Sequence, residues 1–99
     1  MEKKEVAKVV FTYDVSIEKQ KEYLKATGEK IKPFWESNGC QSYSVWKVSD
    51  NPTAFVKEMF FEDVTSMEKS ISLTEAKSIK ELFFSFANNV SRKVCIKKI

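Results

Sequence analysis

The side chains of this chain best placed to do chemistry are aromatic. Phe11, Tyr13, Trp35, Tyr43, Trp46, Phe61 and Phe83 recur at strand and helix spacings, and residues of this kind line cavities that hold flat apolar molecules. They are the expected lining of a ligand pocket, and the packed core is the competing use of the same stripes. Tyr13 is the strongest of the seven, because a phenol buried near a strand end must bond its hydroxyl to a neighbour or to a ligand. Glu58 and Glu62 fall on one face of an extended segment. Such a carboxylate pair could do acid–base work, and lysines on neighbouring strands would satisfy it more simply. Cys40 has no base beside it to generate a thiolate. No residue therefore takes a catalytic assignment from its type and spacing.

What is missing narrows the chemistry further. None of the 99 residues is histidine, which removes Ser-His-Asp and Cys-His mechanisms, histidine-ligated haem and the commonest zinc sites. The two cysteines, Cys40 and Cys95, have no CxxC spacing, so no metal or other cofactor is expected and both thiols should be free in a reducing cytoplasm. Seventeen Lys+Arg against fourteen Asp+Glu give a net charge of +3. Every cation but Arg92 is lysine, a poor basis for bidentate phosphate or base recognition. The lysines are scattered as on solvated faces. Their one concentration, Arg92, Lys93, Lys97 and Lys98, fits an edge strand guarded against aggregation. No apolar run reaches the roughly 18 residues of a membrane span, and no signal-peptide pattern opens the chain.

The elements that position these residues follow from periodicity. Apolar residues make up 42% and charged residues 31%, with only two Gly and two Pro. That balance predicts one ordered domain over residues 1–99. Residues 6–15 alternate Val9, Phe11, Tyr13 and Val15 onto one face of a strand. Ser16 reads as an N-cap. A long helix follows, with Gln20, Leu24, Thr27, Ile31, Phe34 and Trp35 on its inner stripe. Pro33 should kink or break it, and Asn38-Gly39 ends it. Residues 41–48 and 53–62 form a hairpin around Ser49-Asp50-Asn51-Pro52. Both faces of its second strand are apolar: Phe55, Met59 and Phe61 on one, Ala54, Val56 and Phe60 on the other. A second helix is capped within residues 63–66. It buries Met67, Ile71, Ala76, Ile79, Leu82, Phe83 and Phe86, with an irregularity near Ser72-Leu73-Thr74. Asn88-Asn89 closes it, and residues 93–99 make a short last strand.

The order β-α-β-β-α-β is the ferredoxin-like arrangement of the α+β class. It places two helices on one face of a four-stranded antiparallel sheet, with the usual strand order 4-1-3-2. Cys40 and Cys95 then belong to opposite edges, beyond the roughly 4.4–6.8 Å Cα spacing of a disulfide. With both helices on one side, the other side of the sheet, whichever it is, keeps several of Val10, Val45, Trp46, Val56 and Phe60, or of Val9, Phe11, Tyr43, Phe55 and Phe61. An exposed apolar face of this kind predicts a homodimer through the sheet.

Several short stretches together resemble the dimeric α+β barrel proteins of the antibiotic-biosynthesis-monooxygenase-like group. They are the first strand running into a lysine- and glutamate-rich helix, the Gly39-Cys40 step into strand two, Trp46, and the Asn51-Pro52 turn. Phe55-Val56-Lys57-Glu58 and Phe61-Glu62-Asp63 follow, leading to a helix near Ser66-Met67-Glu68. The resemblance implies two sheets packed into a dimeric barrel and a cavity between each sheet and its helices. It also implies chemistry of the group's kind: oxidation of polyketide phenols or quinols without a cofactor, or haem degradation. The haem degraders use a histidine ligand that this chain lacks. The quinone-forming oxygenases place a tryptophan near the end of strand three, where this chain has Phe60-Phe61.

The expected function is binding, or cofactor-independent oxidation, of a small aromatic or quinol ligand by a cytoplasmic homodimer. The alternative is a non-enzymatic small-molecule-binding or structural homodimer. RNA-recognition motifs share the topology, and residues 54–60 faintly echo their aromatic third strand. The glycines and opening basic residue of that motif are missing, and a charge of +3 supplies little phosphate affinity. No nucleic-acid or membrane partner is therefore expected.

Overall fold

The structure is a computed structural model and describes residues 5–99; the domain expected over 1–99 extends at its start beyond these described residues. Strands β1 (Ala7–Asp14), β2 (Ser42–Lys47), β3 (Ala54–Phe61) and β4 (Asn88–Ile96) pair antiparallel in the order β2-β3-β1-β4. This is the expected order read from the other edge, and the sheet belongs to the expected α+β, ferredoxin-like arrangement. Cys40, just before β2, and Cys95, on β4, lie at opposite edges and both are free.

β3 shows why the sheet has two characters. Phe55, Lys57, Met59 and Phe61 are buried beneath the helices, whereas Ala54, Val56, Glu58 and Phe60 on the other side are half-buried. Period-two alternation carries the same division across the neighbouring strands. Val45, expected among the outward apolar set, sits opposite Lys57 and packs on the helix side. The outward set is therefore Val10, Trp46, Val56 and Phe60.

The first helical stretch is not one regular helix. A 3-10 turn at Ile17–Lys19 leads into α1 (Gln20–Ala26), a π turn covers Thr27–Ile31, and α2 (Lys32–Ser37) completes it. Ser16 occupies the N-cap position without a side-chain capping bond. Pro33 falls in the first turn of α2. It has no N–H to give to the turn before it, and the ladder widens immediately upstream. The buried stripe is Tyr23, Thr27, Ile31 and Trp35, while the expected Leu24 is 49% exposed. A spacing of four drifts around a helix of 3.6 residues per turn, and the π turn takes up part of that drift.

Gly39 closes this stretch at φ +107°, where a Cβ would stand 2.5 Å from the Ser70 hydroxyl oxygen. The left-handed conformation disfavours any other residue there, and a Cβ would also push the Ser70 hydroxyl from its place. Ser70 donates to the Asn38 carbonyl and so ties α3 (Val64–Ile71) to the end of α2. Asp63 caps α3 by accepting from the Ser66 N–H at 2.7 Å. The expected irregularity separates α3 from α4 (Ala76–Phe86).

β4 begins earlier than expected. Asn88-Asn89 opens this strand instead of closing the helix, which ends at Phe86. Asn89 adopts φ +53°, and the β1–β4 register shifts between Thr12 and Asp14. Asparagine tolerates this left-handed conformation, so a residue that signals a turn serves here as a bulge within the pairing. Its side-chain amide donates to Asp14 at 3.0 Å.

Candidate functional site

A cavity of about 250 Å³ lies between the helix-facing side of the sheet and α4. Phe11 of β1, Lys57 and Met59 of β3 and Arg92 of β4 form its floor; Ile79, Lys80, Phe83 and Phe84 of α4 form the opposite wall. Trp35 and Ile71 close it at the ends of α2 and α3. An apolar cavity of about 150 Å³ is enough for benzene, so this one has room for one or two fused rings. Three of its floor residues come from one row across the sheet, because Lys57 pairs with Phe11 and Phe11 with Arg92. Strand register therefore puts two cations in line beneath the α4 aromatics.

Lys57 is the unusual member of this wall. It is 3% exposed, yet no oxygen among the described residues hydrogen-bonds its amine. Its Nζ lies 3.5 Å from the ring centre of Phe83 and 4.1 Å from that of Phe11, with the Tyr43 ring at 5.6 Å. Burial in this apolar setting pushes the amine down to about 7, opposed by the Cys40 thiol. The aromatic faces compensate the ammonium in part, but they cannot replace a hydrogen-bond acceptor. Near neutral pH the amine is thus poised between base and cation. Arg92 is exposed at the rim, and the Lys80 ammonium beside it donates to the Ile71 carbonyl. The cavity is apolar in its walls and positive in its charges.

Of the seven aromatic residues expected at a ligand pocket, Phe11, Trp35 and Phe83 come together on this cavity. Tyr13, Tyr43 and Phe61 are buried in the core beneath the helices. The Tyr13 hydroxyl is hydrogen-bonded to that of Tyr23, its ring stacks on Phe55, and Phe83 meets it edge-on with ring centres 5.0 Å apart. Burial raises both phenols above the ordinary tyrosine value, Tyr13 the further, so they stay protonated. The Tyr43 hydroxyl is buried with no hydrogen-bond partner among the described residues, and desolvation raises its pKa in the same sense. Trp46 is 59% exposed on the far side of the sheet.

Glu58 is also on the far side, paired with Lys8 at 3.0 Å. Cys40 is buried, donates its thiol to the Ser42 carbonyl at 3.2 Å, and is raised by desolvation. Among the described residues no cluster of His, Cys, Asp and Glu could hold a metal ion, and no helix is long and apolar enough to cross a membrane. Periodicity reasoning missed two residues. Tyr23 takes the inner position expected of Leu24. Lys57 stands in register between Phe55 and Met59 on the inward face of β3, and a lysine at an inward position was itself the available signal.

No protein-family model matches the chain, and no curated protein matches it in sequence. Solved structures do match it along nearly its whole length. A conserved protein from Methanosarcina mazei is 22% identical with a TM-score of 0.80, covering 95% of this chain and 94% of its own. A candidate antibiotic biosynthesis monooxygenase from Caulobacter crescentus has a TM-score of 0.82 at 13% identity, with 97% and 92% covered. SnoaB, a cofactor-independent oxygenase from Streptomyces nogalater, superposes with a TM-score of 0.77 at 8% identity, over 96% of this chain and 95% of that one. The chain has the fold of the antibiotic-biosynthesis-monooxygenase-like proteins. In this fold the space between sheet and helices is where the chain places its cavity and Lys57.

Proposed function

We propose that the protein binds a small planar aromatic molecule, a phenol or quinol, in the cavity beneath α4 and oxidises it with dioxygen without a bound cofactor. The observation that carries this reading is an apolar cavity of one- to two-ring size whose wall carries a lysine amine set among aromatic rings, with no hydrogen-bond partner among the described residues. The fold supports it, being shared with a cofactor-independent oxygenase. In the simplest reaction of this class a phenol and dioxygen give a quinone and water. One oxygen atom enters the ring and the other leaves reduced. The chain's own part is to bind the ring, exclude water and control the ionisation of the phenol.

The working unit in this reading is a homodimer in the cytoplasm. Trp46, Val10, Val56 and Phe60 on the outer face supply the apolar surface for pairing, and the two free thiols suit a reducing compartment. Oxygen uptake across a panel of hydroquinones and naphthols tests the activity: consumption above buffer is expected for at least one member. Saturable binding with no uptake would leave a binding module in place of an oxygenase.

A further inference from the structure

Resting on the aromatic-ligand reading, we infer that Lys57 is the proton acceptor for a phenolic ligand. Its neutral amine takes the hydroxyl proton and, as an ammonium, then holds the phenolate oxygen against the Phe11 and Phe83 rings.

Geometry makes Lys57 the residue for this step. Lys57 is 3% exposed, its amine opens on the cavity between the Phe11 and Phe83 rings, and no hydrogen bond or ion pair engages that amine among the described residues. Every other titratable or charged group near it is unsuited to accept a proton. Arg92 remains charged at any ordinary pH. Lys80 is engaged with the Ile71 carbonyl. Tyr43 and Cys40 are protonated acids held neutral by burial. Among the described residues no carboxylate lines the cavity. Lys57 itself is pushed down to about 7, so an appreciable fraction is free base at neutral pH, the condition for a general base.

The step favours a phenol over other ligands. A carboxylate would arrive charged and lose its hydration on entry, whereas a phenol and a neutral amine enter as two neutral groups. Inside, the O–H bond breaks, an N–H bond forms, and the electron pair stays on oxygen. Two opposite charges then appear in contact, and Arg92 and Lys80 favour the anion. The phenolate is the electron-rich form that gives electrons to dioxygen, so the step leads directly into the proposed oxidation.

Two probes separate this inference from the reading beneath it. One is 4-nitrophenol, whose phenolate is yellow and whose phenol is colourless; the other is nitrobenzene, which has the same ring and no proton to lose. At neutral pH, where Lys57 keeps a free-base fraction and free 4-nitrophenol is only part ionised, titration with the protein should raise the phenolate band. In Lys57→Met the bound phenolate fraction should fall about tenfold or more, one pK unit being a factor of ten, while nitrobenzene binds both proteins alike. Arg92→Gln should weaken the band only a few-fold. Nitrobenzene bound normally with 4-nitrophenol un-ionised, or ionised equally in Lys57→Met, overturns the role of Lys57 alone. Neither probe binding overturns the aromatic-ligand reading, and this inference with it.

Discussion

Lys57 and Glu58 are adjacent on β3, and the pleat sends them to opposite sides of the sheet. Glu58 meets Lys8 across the strand pair at 3.0 Å, with side chains 25% and 37% exposed. Lys57 meets only aromatic rings. The outer side therefore neutralises its charge in a way any surface strand does. The inner side leaves a charge uncompensated where compensation matters most. An unpaired ionisable group in an apolar wall costs stability, and a strongly perturbed amine in a cleft is a physical marker of a site. On the proposed function, the ligand belongs to the helix side and the pairing of two copies to the other.

The largest expected effect comes from removing the uncompensated charge. Lys57→Met keeps the unbranched apolar stem of the side chain, one atom shorter, and should stabilise the protein by a few kcal/mol at neutral pH, at about 1.4 kcal/mol per pK unit. The sign follows from proton binding. In the unfolded chain the amine has its ordinary value of 10.5, and in the folded chain about 7. Between these limits the unfolded state holds the proton and the folded state does not, so native stability rises with pH. The penalty is fully present below about 7 and gone above about 10.5. Urea unfolding over this window should give a wild-type curve that climbs toward that of the variant. Parallel curves would mean that the amine is hydrated, and the contrast between the two sides would disappear.

Much of this arrangement was legible in the sequence, and its gaps have physical causes. Alternation in β1 and β3, the apolar stripe of the second helix and the Pro33 break all express local periodicity, which a sequence carries directly. β4 was half hidden because Asn88 and Asn89 signal a turn, and only the pairing with β1 makes them a bulged strand. Tyr23 holds the inner position expected of Leu24 because the buried residues follow a spacing of four into the π turn, which a period of 3.6 does not show. The aromatic candidates were legible as inward residues. Which of them reach the cavity depends on how α4 crosses the sheet: Phe83 and Phe11 do, and Tyr13 turns to Tyr23. Lys57 was overlooked because lysine is ordinarily read as solvated, a default that one inward position among three apolar ones contradicts.

The outer side is sharpened by Trp46→Glu. On the proposed dimer, Trp46 is the most exposed large side chain of the pairing surface, and a charge at a two-fold apolar contact meets its own copy. Sedimentation at micromolar concentration should show the native protein at twice the chain mass and the variant at the chain mass. The variant should still take up nitrobenzene, because Trp46 is on the far side of the sheet from the cavity. A native protein sedimenting at the chain mass would remove assembly from the comparison.

The smallest effect is expected from Glu58→Gln in the Trp46→Glu background, where the outer faces are held apart. There the Lys8–Glu58 pair is partly exposed, and exposed pairs contribute only about 0–1 kcal/mol. The same change in the otherwise native chain should cost more. A second sheet laid over the pair would strip its water and leave Lys8 charged and unpartnered, a situation that typically costs about 3–5 kcal/mol. The difference between the two backgrounds thus measures how far the second copy buries this pair. Equal, small losses in both would mean that the outer ion pair remains in solvent, and that no second copy covers it.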